Sequence, residues 1–330
     1  MNFQSQMLML IVFVAASSAW GDSWEPSLPP KYFRGLAFSP YKTGQQPGDP
    51  VTVAQVQERL GIVAPYTEWI RTYSMWNGFE NIPEEANKLG LKLAAGTWIA
   101  HNREEEIRNL IEKARAGWVD LAMIGNEEVF SGRETDVSLA ALLIDVRAAL
   151  DANGLQHVPI TTPEPFNTLF APDGTPKCPN VLAAVDVVAA CIYPFHDGIG
   201  IDAAVDALSE QYALAVQGAG GKEVLIAETG WPTVGEAKGE AVPSIENAAI
   251  YLDESVVWAE SNGADVFTFE AFSEAWKGPE EIERNWGVWD ADGVLKVPEP
   301  ATFSVLFFGA GAMLWRRRQR GQRVRRCTPT

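Results

Sequence analysis

Short apolar or β-branched runs alternate with amphipathic, helix-length segments along most of this chain. The first run is Tyr32–Phe38, followed by a Gly/Pro-rich loop and an amphipathic stretch from Val53 to Val63. Trp69–Tyr73 leads into a helix through Pro83 to Leu89, and Leu91–Trp98 into a charged helix from Glu104 to Ala116. Trp118–Gly125 precedes a long helix from Ser138 to Ala152, which Asn153 and Gly154 close. Val158–Thr162 is the fifth run, with a long Pro-rich connection after it. Val185–Tyr193 is followed by a helix from Asp202 to Val216, and Lys222–Ala227 by one from Ser244 to Ser261. Asp265–Phe269 is the eighth run. Apolar runs this short, stopped by Gly and Pro, read as buried strands of the parallel type. Strand then helix, eight times in about 240 residues, predicts an α/β chain folded as one (β/α)8 TIM barrel. A doubly wound sheet is the rival, but no Gly-rich phosphate loop follows the first strand.

In a barrel of this kind the carboxyl ends of the strands face the active site. The seventh strand runs Val224-Leu-Ile-Ala directly into Glu228, then Thr229, Gly230, Trp231 and Pro232. The fourth delivers Asn126, Glu127 and Glu128 after Leu121-Ala-Met-Ile-Gly125. Tyr73, Trp98, Tyr193, and Phe269 with Glu270 end the second, third, sixth and eighth strands. A face rich in carboxylates and aromatic rings suits sugar rings. Two carboxylates from different strands are what glycosidic bond cleavage requires: one protonates the leaving oxygen, the other attacks or activates water. Asn126 can donate its amide to a sugar hydroxyl as charge develops at the anomeric carbon.

The ends and the charge change the picture. Met7–Ala16 is an apolar run followed by small residues before Trp20, which reads as a signal peptide over residues 1–19, although no basic residue precedes it. At the other end Val297-Pro-Glu-Pro300 precedes an apolar run from Ala301 to Trp315 and then Arg316, Arg317, Arg318 and Arg320. As a helix that run reaches only about 22 Å, short for a full span. Residues 298–330 resemble the PEP-CTERM sorting signal of Gram-negative bacteria, with a plain tail anchor as the alternative. That resemblance implies export to the cell surface, transient inner-membrane anchoring, and processing by signal peptidase and an exosortase-type enzyme. The catalytic domain is then 20–297.

The formal net charge is −17, which argues against a nucleic-acid partner. Residues 301–330 hold seven of the 26 basic residues and none of the 43 acidic ones, so Trp20–Pro300 keeps 19 basic against 43 acidic residues, a net −24. A neutral polymer suits that surface better than an anionic one. Cys178 and Cys191 either pair, as an exported protein allows, or leave Cys191 buried as a small hydrophobe. Cys327 falls in the tail, and no metal-type spacing occurs.

Gly125-Asn-Glu127, Ile226-Ala-Glu-Thr-Gly-Trp-Pro232, Ile70-Arg-Thr-Tyr73 and Phe269-Glu-Ala-Phe-Ser-Glu-Ala-Trp-Lys277 stand in the order found in one enzyme family. Asn285-Trp-Gly-Val-Trp-Asp-Ala-Asp-Gly293 matches the segment that closes its barrel. Over about residues 32–297 the chain resembles a family 17 glycoside hydrolase, the β-1,3-glucanase family. The resemblance implies a retaining, metal- and cofactor-free enzyme acting on β-glucan, with Glu127 as general acid/base and Glu228 as nucleophile. It implies supporting roles for Glu274, Lys277 and Tyr193, and it selects Glu127 over Glu128 by its place directly after Asn126. Successive strand positions point to opposite faces, so one of those two glutamates is expected in the site.

Tyr73 is expected to contact substrate, and Trp231 and Trp276 to stack on sugar rather than pack the rim. Arg71 either pairs with a barrel carboxylate in general or holds Glu228 ionised. His101 and His196 read as loop histidines, and Glu104-Glu-Glu106 as a solvated first helical turn. A glucanosyltransferase would use the same two glutamates. A non-catalytic glycan-binding protein would be marked by loss of one of them, and both are present.

Overall fold

The computed structural model describes residues 28–297. The signal peptide and the sorting-type tail expected from the sequence lie outside them. Strands β1 (Phe33–Ala37), β2 (Thr67–Arg71), β3 (Lys92–Thr97) and β4 (Leu121–Ile124) alternate with helices α1 (Val53–Val63), α2 (Ile82–Lys88), α3 (Arg103–Arg115) and α4 (Asp136–Ala152). Next come two short strands, β5 (Ile160–Thr161) and β6 (Pro163–Pro165), and two short helices, α5 (Phe166–Leu169) and α6 (Pro179–Ala184). Then follow β7 (Val188–Cys191), α7 (Ile201–Gly218), β8 (Val224–Thr229), α8 (Ile245–Asn262) and β9 (Asp265–Thr268).

All strand pairings are parallel, in the order β5-β4-β3-β2-β1-β9-β8-β7-β6. The two ends of that order are halves of one stave interrupted at Thr162: Ile160 and Thr161 pair with β4, and Pro163–Pro165 with β7. Proline has no N–H to give a ladder, which explains the interruption beside Pro163. The result is the expected single (β/α)8 barrel. Its fifth strand runs further than the sequence suggests, into what reads there as a Pro-rich loop.

The amphipathic pattern explains the two cores. Val224 and Ile226 of β8 face the helices, where they join a shell with Leu36, Ile70 and Leu93. Leu225 and Ala227 face inward with Ala94, Met123, Ala189, Cys191 and Phe267. Helix starts follow side-chain caps, including Ser244 on the N–H of Asn247 and Thr135 on that of Ser138. Gly263, in the left-handed region, closes α8.

One departure from strict alternation places a functional group. After Ala227 faces inward, Glu228 would face the helices. The pairing of β8 shifts register against both neighbours, between Ala190 and Cys191 and between Ile226 and Thr229. A bulge of this kind re-aims a side chain. Glu228 turns toward the barrel mouth, while Thr229 faces outward to hydrogen-bond the Tyr251 hydroxyl of α8.

The strands meet closely beside the site. A Cβ at Gly96 of β3 would stand 2.0 Å from the Thr72 carbonyl oxygen. Gly96→Ala is therefore expected to cost about 1–3 kcal/mol, seen as a lower thermal unfolding midpoint; an unchanged midpoint would show that β2 and β3 can separate there.

Candidate active site

Glu228 is held by three donors at the ends of two staves, β2 and β7. Its Oε1 accepts from Arg71 Nη1 at 2.6 Å and from the Tyr73 hydroxyl at 3.0 Å. Its Oε2 accepts from the Tyr193 hydroxyl at 2.8 Å. Burial, and next the Glu228 charge, push both phenols well above their ordinary pKa, so they stay donors. Arg71, 1% exposed, lies beneath the mouth, and its Nη1 also donates to the Ala227 carbonyl at 2.7 Å. Its Nη2 donates to Asn126 Oδ1 at 2.5 Å. With its oxygen committed to Arg71, Asn126 keeps its NH2 as the donor toward the cleft. Of the two roles open to Arg71, the structure thus gives it the pairing with Glu228.

Glu127 is fixed differently. It belongs to no strand: β4 ends at Ile124, and Gly125 and Glu127 both sit in the left-handed region, at φ 75° and 54°. This turn, rather than strand alternation, separates the neighbouring glutamates. Glu127 lines the cleft. Glu128 is buried behind it, paired with Arg133 at 2.7 Å and accepting the Asn126 N–H at 3.3 Å.

Carboxylate oxygens of Glu127 and Glu228 and the Cys191 sulfur lie within 4.8 Å of one another. Burial, then the Glu228 charge and the Glu164 charge, push Glu127 up to about 8. Two carboxyl groups side by side thus have opposite surroundings, the arrangement that divides acid from nucleophile. The three side chains also have the spacing of metal ligands. Yet Glu228 already carries a guanidinium, and burial and then the Glu228 charge push the Cys191 thiol well up. That donor set fits a shared proton better than a cation. Cys191 and Cys178 are both buried and unpaired.

A third set flanks the pair. Lys277 ion-pairs with Glu270 and, at 3.0 Å, with Glu274. Its Nζ stands 4.3 Å from the Phe269 ring centroid. Burial, and then Glu274, hold the Glu270 carboxyl well above the usual range, while the surroundings of Glu274, Lys277 chief among its charges, hold it below. Glu274, Trp276 and Lys277 all line the cleft, with Trp276 38% exposed.

Trp231 departs from expectation. It is 3% exposed, packs against Phe195 and Tyr251, and donates its indole N–H to the Val242 carbonyl at 3.0 Å. It belongs to the core behind the seventh stave, past the Thr229 end of β8.

Glu106 also departs. It is not solvated but buried, accepting from the Ser74 hydroxyl and the Met75 N–H, both at 2.5 Å, and so bracing the loop that carries Trp76. His101 and His196 both line the cleft. Burial pushes His196 down to about 4, so it is neutral between Tyr193 and Trp286.

The cleft has a volume of about 1820 Å³ and is lined by both glutamates and by Gly48, Trp76, Phe170 and Lys238. Small-molecule pockets hold about 300–1,000 Å³, so this one fits several sugar units. Trp98, Phe269, Trp286 and the 61% exposed Phe130 add aromatic surface. Phe130 and Glu164 have no part in the sequence-based site. Glu164 is masked there by its flanking prolines, and Phe130 by lying past the end of its strand.

A closed parallel barrel whose mouth sets a carboxyl tied to a guanidinium and two phenols against a second carboxyl raised by burial and like charge, in a long aromatic cleft, is the apparatus of an O-glycosyl hydrolase. Residues 35–287 match the BtgE/BtgC glycoside hydrolase domain, and the chain belongs to that family. The glucan 1,3-beta-glucosidase BGL2 of Candida albicans is 28% identical over 267 residues, 74% of this chain and 85% of that protein. The probable beta-glucosidase btgE of Aspergillus fumigatus is 29% identical over 264 residues, 78% of this chain but only 45% of that longer protein. Among solved structures, the fold is shared with a glycoside hydrolase family 17 beta-1,3-glucanosyltransferase from Rhizomucor miehei. That comparison gives a TM-score of 0.69 at 24% identity, covering 82% of this chain and 97% of that one. An endo-laminarinase from Formosa gives 0.67 at 20%, covering 80% and 85%.

Glu127 provides a direct test of the electrostatics. In Glu228→Gln the adjacent negative charge is gone, so Glu127 should titrate at a lower pH than in the parent protein. Carbon NMR of labelled glutamate carboxyls reads this, and an unmoved titration would mean the two groups do not sense each other.

Proposed function

We propose that this chain cleaves β-1,3-glucan, or a closely related β-glucan, by double displacement with retention at the anomeric carbon. The observation that carries this reading is the Glu127–Glu228 pair, with nearest oxygens within 4.8 Å in a cleft long enough for an oligosaccharide. Carboxyl separations of about 5–5.5 Å belong to retaining enzymes, and about 6.5–9.5 Å to inverting ones. The glucan named for BGL2, and the laminaritriose bound to an active-site mutant of the Rhizomucor transferase, support the substrate class.

In the first step a Glu228 oxygen bonds to the anomeric carbon as the carbon–oxygen bond to the leaving sugar breaks. Glu127 gives its proton to that leaving oxygen. In the second step Glu127, now a carboxylate, takes a proton from water as the water oxygen attacks the same carbon and Glu228 departs. Tyr73, Tyr193 and Arg71 aim Glu228, and the Asn126 NH2 is placed for the sugar hydroxyl beside the reacting carbon. Transfer to a sugar hydroxyl instead of water uses the same groups. The exposed Phe130 and Trp276 faces favour keeping that second reading, since they can hold an acceptor. Residues 1–19 and 298–330 extend the proposal to an exported, surface-held enzyme processed by signal peptidase and an exosortase-type enzyme.

Glu228→Gln is expected to abolish reducing-sugar release from laminarin-type glucan; near-parental turnover would overturn the nucleophile assignment. Glu127→Gln should lose about 10²–10⁴-fold on oligosaccharides yet still release dinitrophenol from an activated glycoside, which needs no acid. The alkaline limb of kcat/KM in the parent enzyme should fall near pH 8, as Glu127 loses its proton. Mass spectrometry of products from a defined oligosaccharide separates the two readings: products longer than the substrate mean transfer.

A further inference from the structure

Glu164 is wholly buried on β6 and has no place in the two steps above. Its Oε1 accepts the Val129 N–H at 2.8 Å and its Oε2 the Phe130 N–H at 3.1 Å. The carbonyl of the preceding residue, Pro163, accepts the Glu127 N–H at 2.9 Å. Three backbone donors of one turn therefore end on two consecutive residues of β6. That turn is otherwise unfavourable, because Glu127 itself sits in the left-handed region, at φ 54°.

A buried carboxylate is a costly way to cap two N–H groups. A neutral oxygen would serve without bringing a charge toward Glu127 and Glu228. Here burial pushes the Glu164 carboxyl above its ordinary pKa and the compensation comes from the Val129 and Phe130 N–H groups rather than a basic side chain, so what charge it carries acts on Glu127. The proposal rests on Glu127 being the acid of the first step. We propose that Glu164 is a positioning residue, which pins the 127–130 turn so that Glu127 meets the glycosidic oxygen.

The groups that act on Glu127 come from every side. Glu228 on β8 and Glu164 on β6 favour its proton; Arg71 on β2 and Arg133 beyond the turn oppose it; the Cys191 thiol on β7 adjoins it. Glu128 faces Glu164 from the turn itself. Removing the Glu164 charge therefore leaves the two guanidiniums with more influence.

The test compares Glu164→Gln with the parent on a laminari-oligosaccharide and on its dinitrophenyl glycoside. A displacement of about 1 Å costs on the order of 10²-fold, so kcat on the oligosaccharide should fall by roughly that factor, with KM nearly unchanged. Release of dinitrophenol should fall by only a few-fold. The alkaline limb of kcat/KM should move to lower pH. Equal losses on both substrates, or an unmoved alkaline limb, would overturn the assignment. Glu127→Gln, run in parallel, tells the two ideas apart: without a selective loss on the oligosaccharide there, the acid assignment itself is wrong. If Glu164→Gln does not fold, Glu164→Asp decides. It keeps the charge but shortens the reach, so it should lose oligosaccharide turnover selectively and keep the parental alkaline limb; an unselective loss or a shifted limb would overturn the proposal.

Discussion

A guanidinium buried in the floor of the barrel is the constraint on which the rest of the mouth depends. Taking a charge out of water costs several kcal/mol even after relaxation. Arg71 meets that cost through Glu228, the Ala227 carbonyl and Asn126, one partner from each of three backbone positions. Its Nε has no partner among the described residues. Room for it comes from small inward-facing neighbours, with Ala94 directly paired to it across β2 and β3. Breaking such a buried pair costs about 3–5 kcal/mol. The geometry of the Glu228 carboxylate and the stability of the barrel mouth therefore rest on the same contacts.

The consequence is an uneven field over a few ångströms. Glu228 is surrounded by donors and Glu127 by burial and like charge. A second ionic set, Lys277 between Glu270 and Glu274, keeps its own charges local beside the cleft wall. The strong negative charge of the whole chain is thus compatible with a mouth in which each carboxyl group has its own local partners.

The fold was legible because parallel strands buried on both faces write themselves as apolar runs between amphipathic helices. The eight staves from Phe33 to Thr268 follow that rule, apart from the one broken at Thr162. Residues at stave ends were legible for the same reason: Tyr73, Asn126, Tyr193 and Glu228 follow directly from strand plus barrel. Less legible was whatever depends on local backbone shape. Trp231 looked like a cleft residue because it follows closely on Glu228, but past the strand end the chain turns its indole into the core. Glu164 looked like loop because prolines hide a strand edge. Glu106 looked solvated because two neighbouring glutamates are; its buried partners come from a loop some thirty residues earlier.

The bulge in β8 carries a consequence for how such a site can change over time. On an ordinary strand, a side chain slid by two positions keeps its face, and function can drift along the stave. Here position 227 points down into the barrel, 228 to the mouth and 229 back to Tyr251. The Glu228 carboxylate has no neighbouring position to migrate to. Insertions or deletions in this stave move it off the mouth altogether, whereas the loops around the cleft are free to vary in length. Length changes that spare this stave leave Glu228 at the mouth.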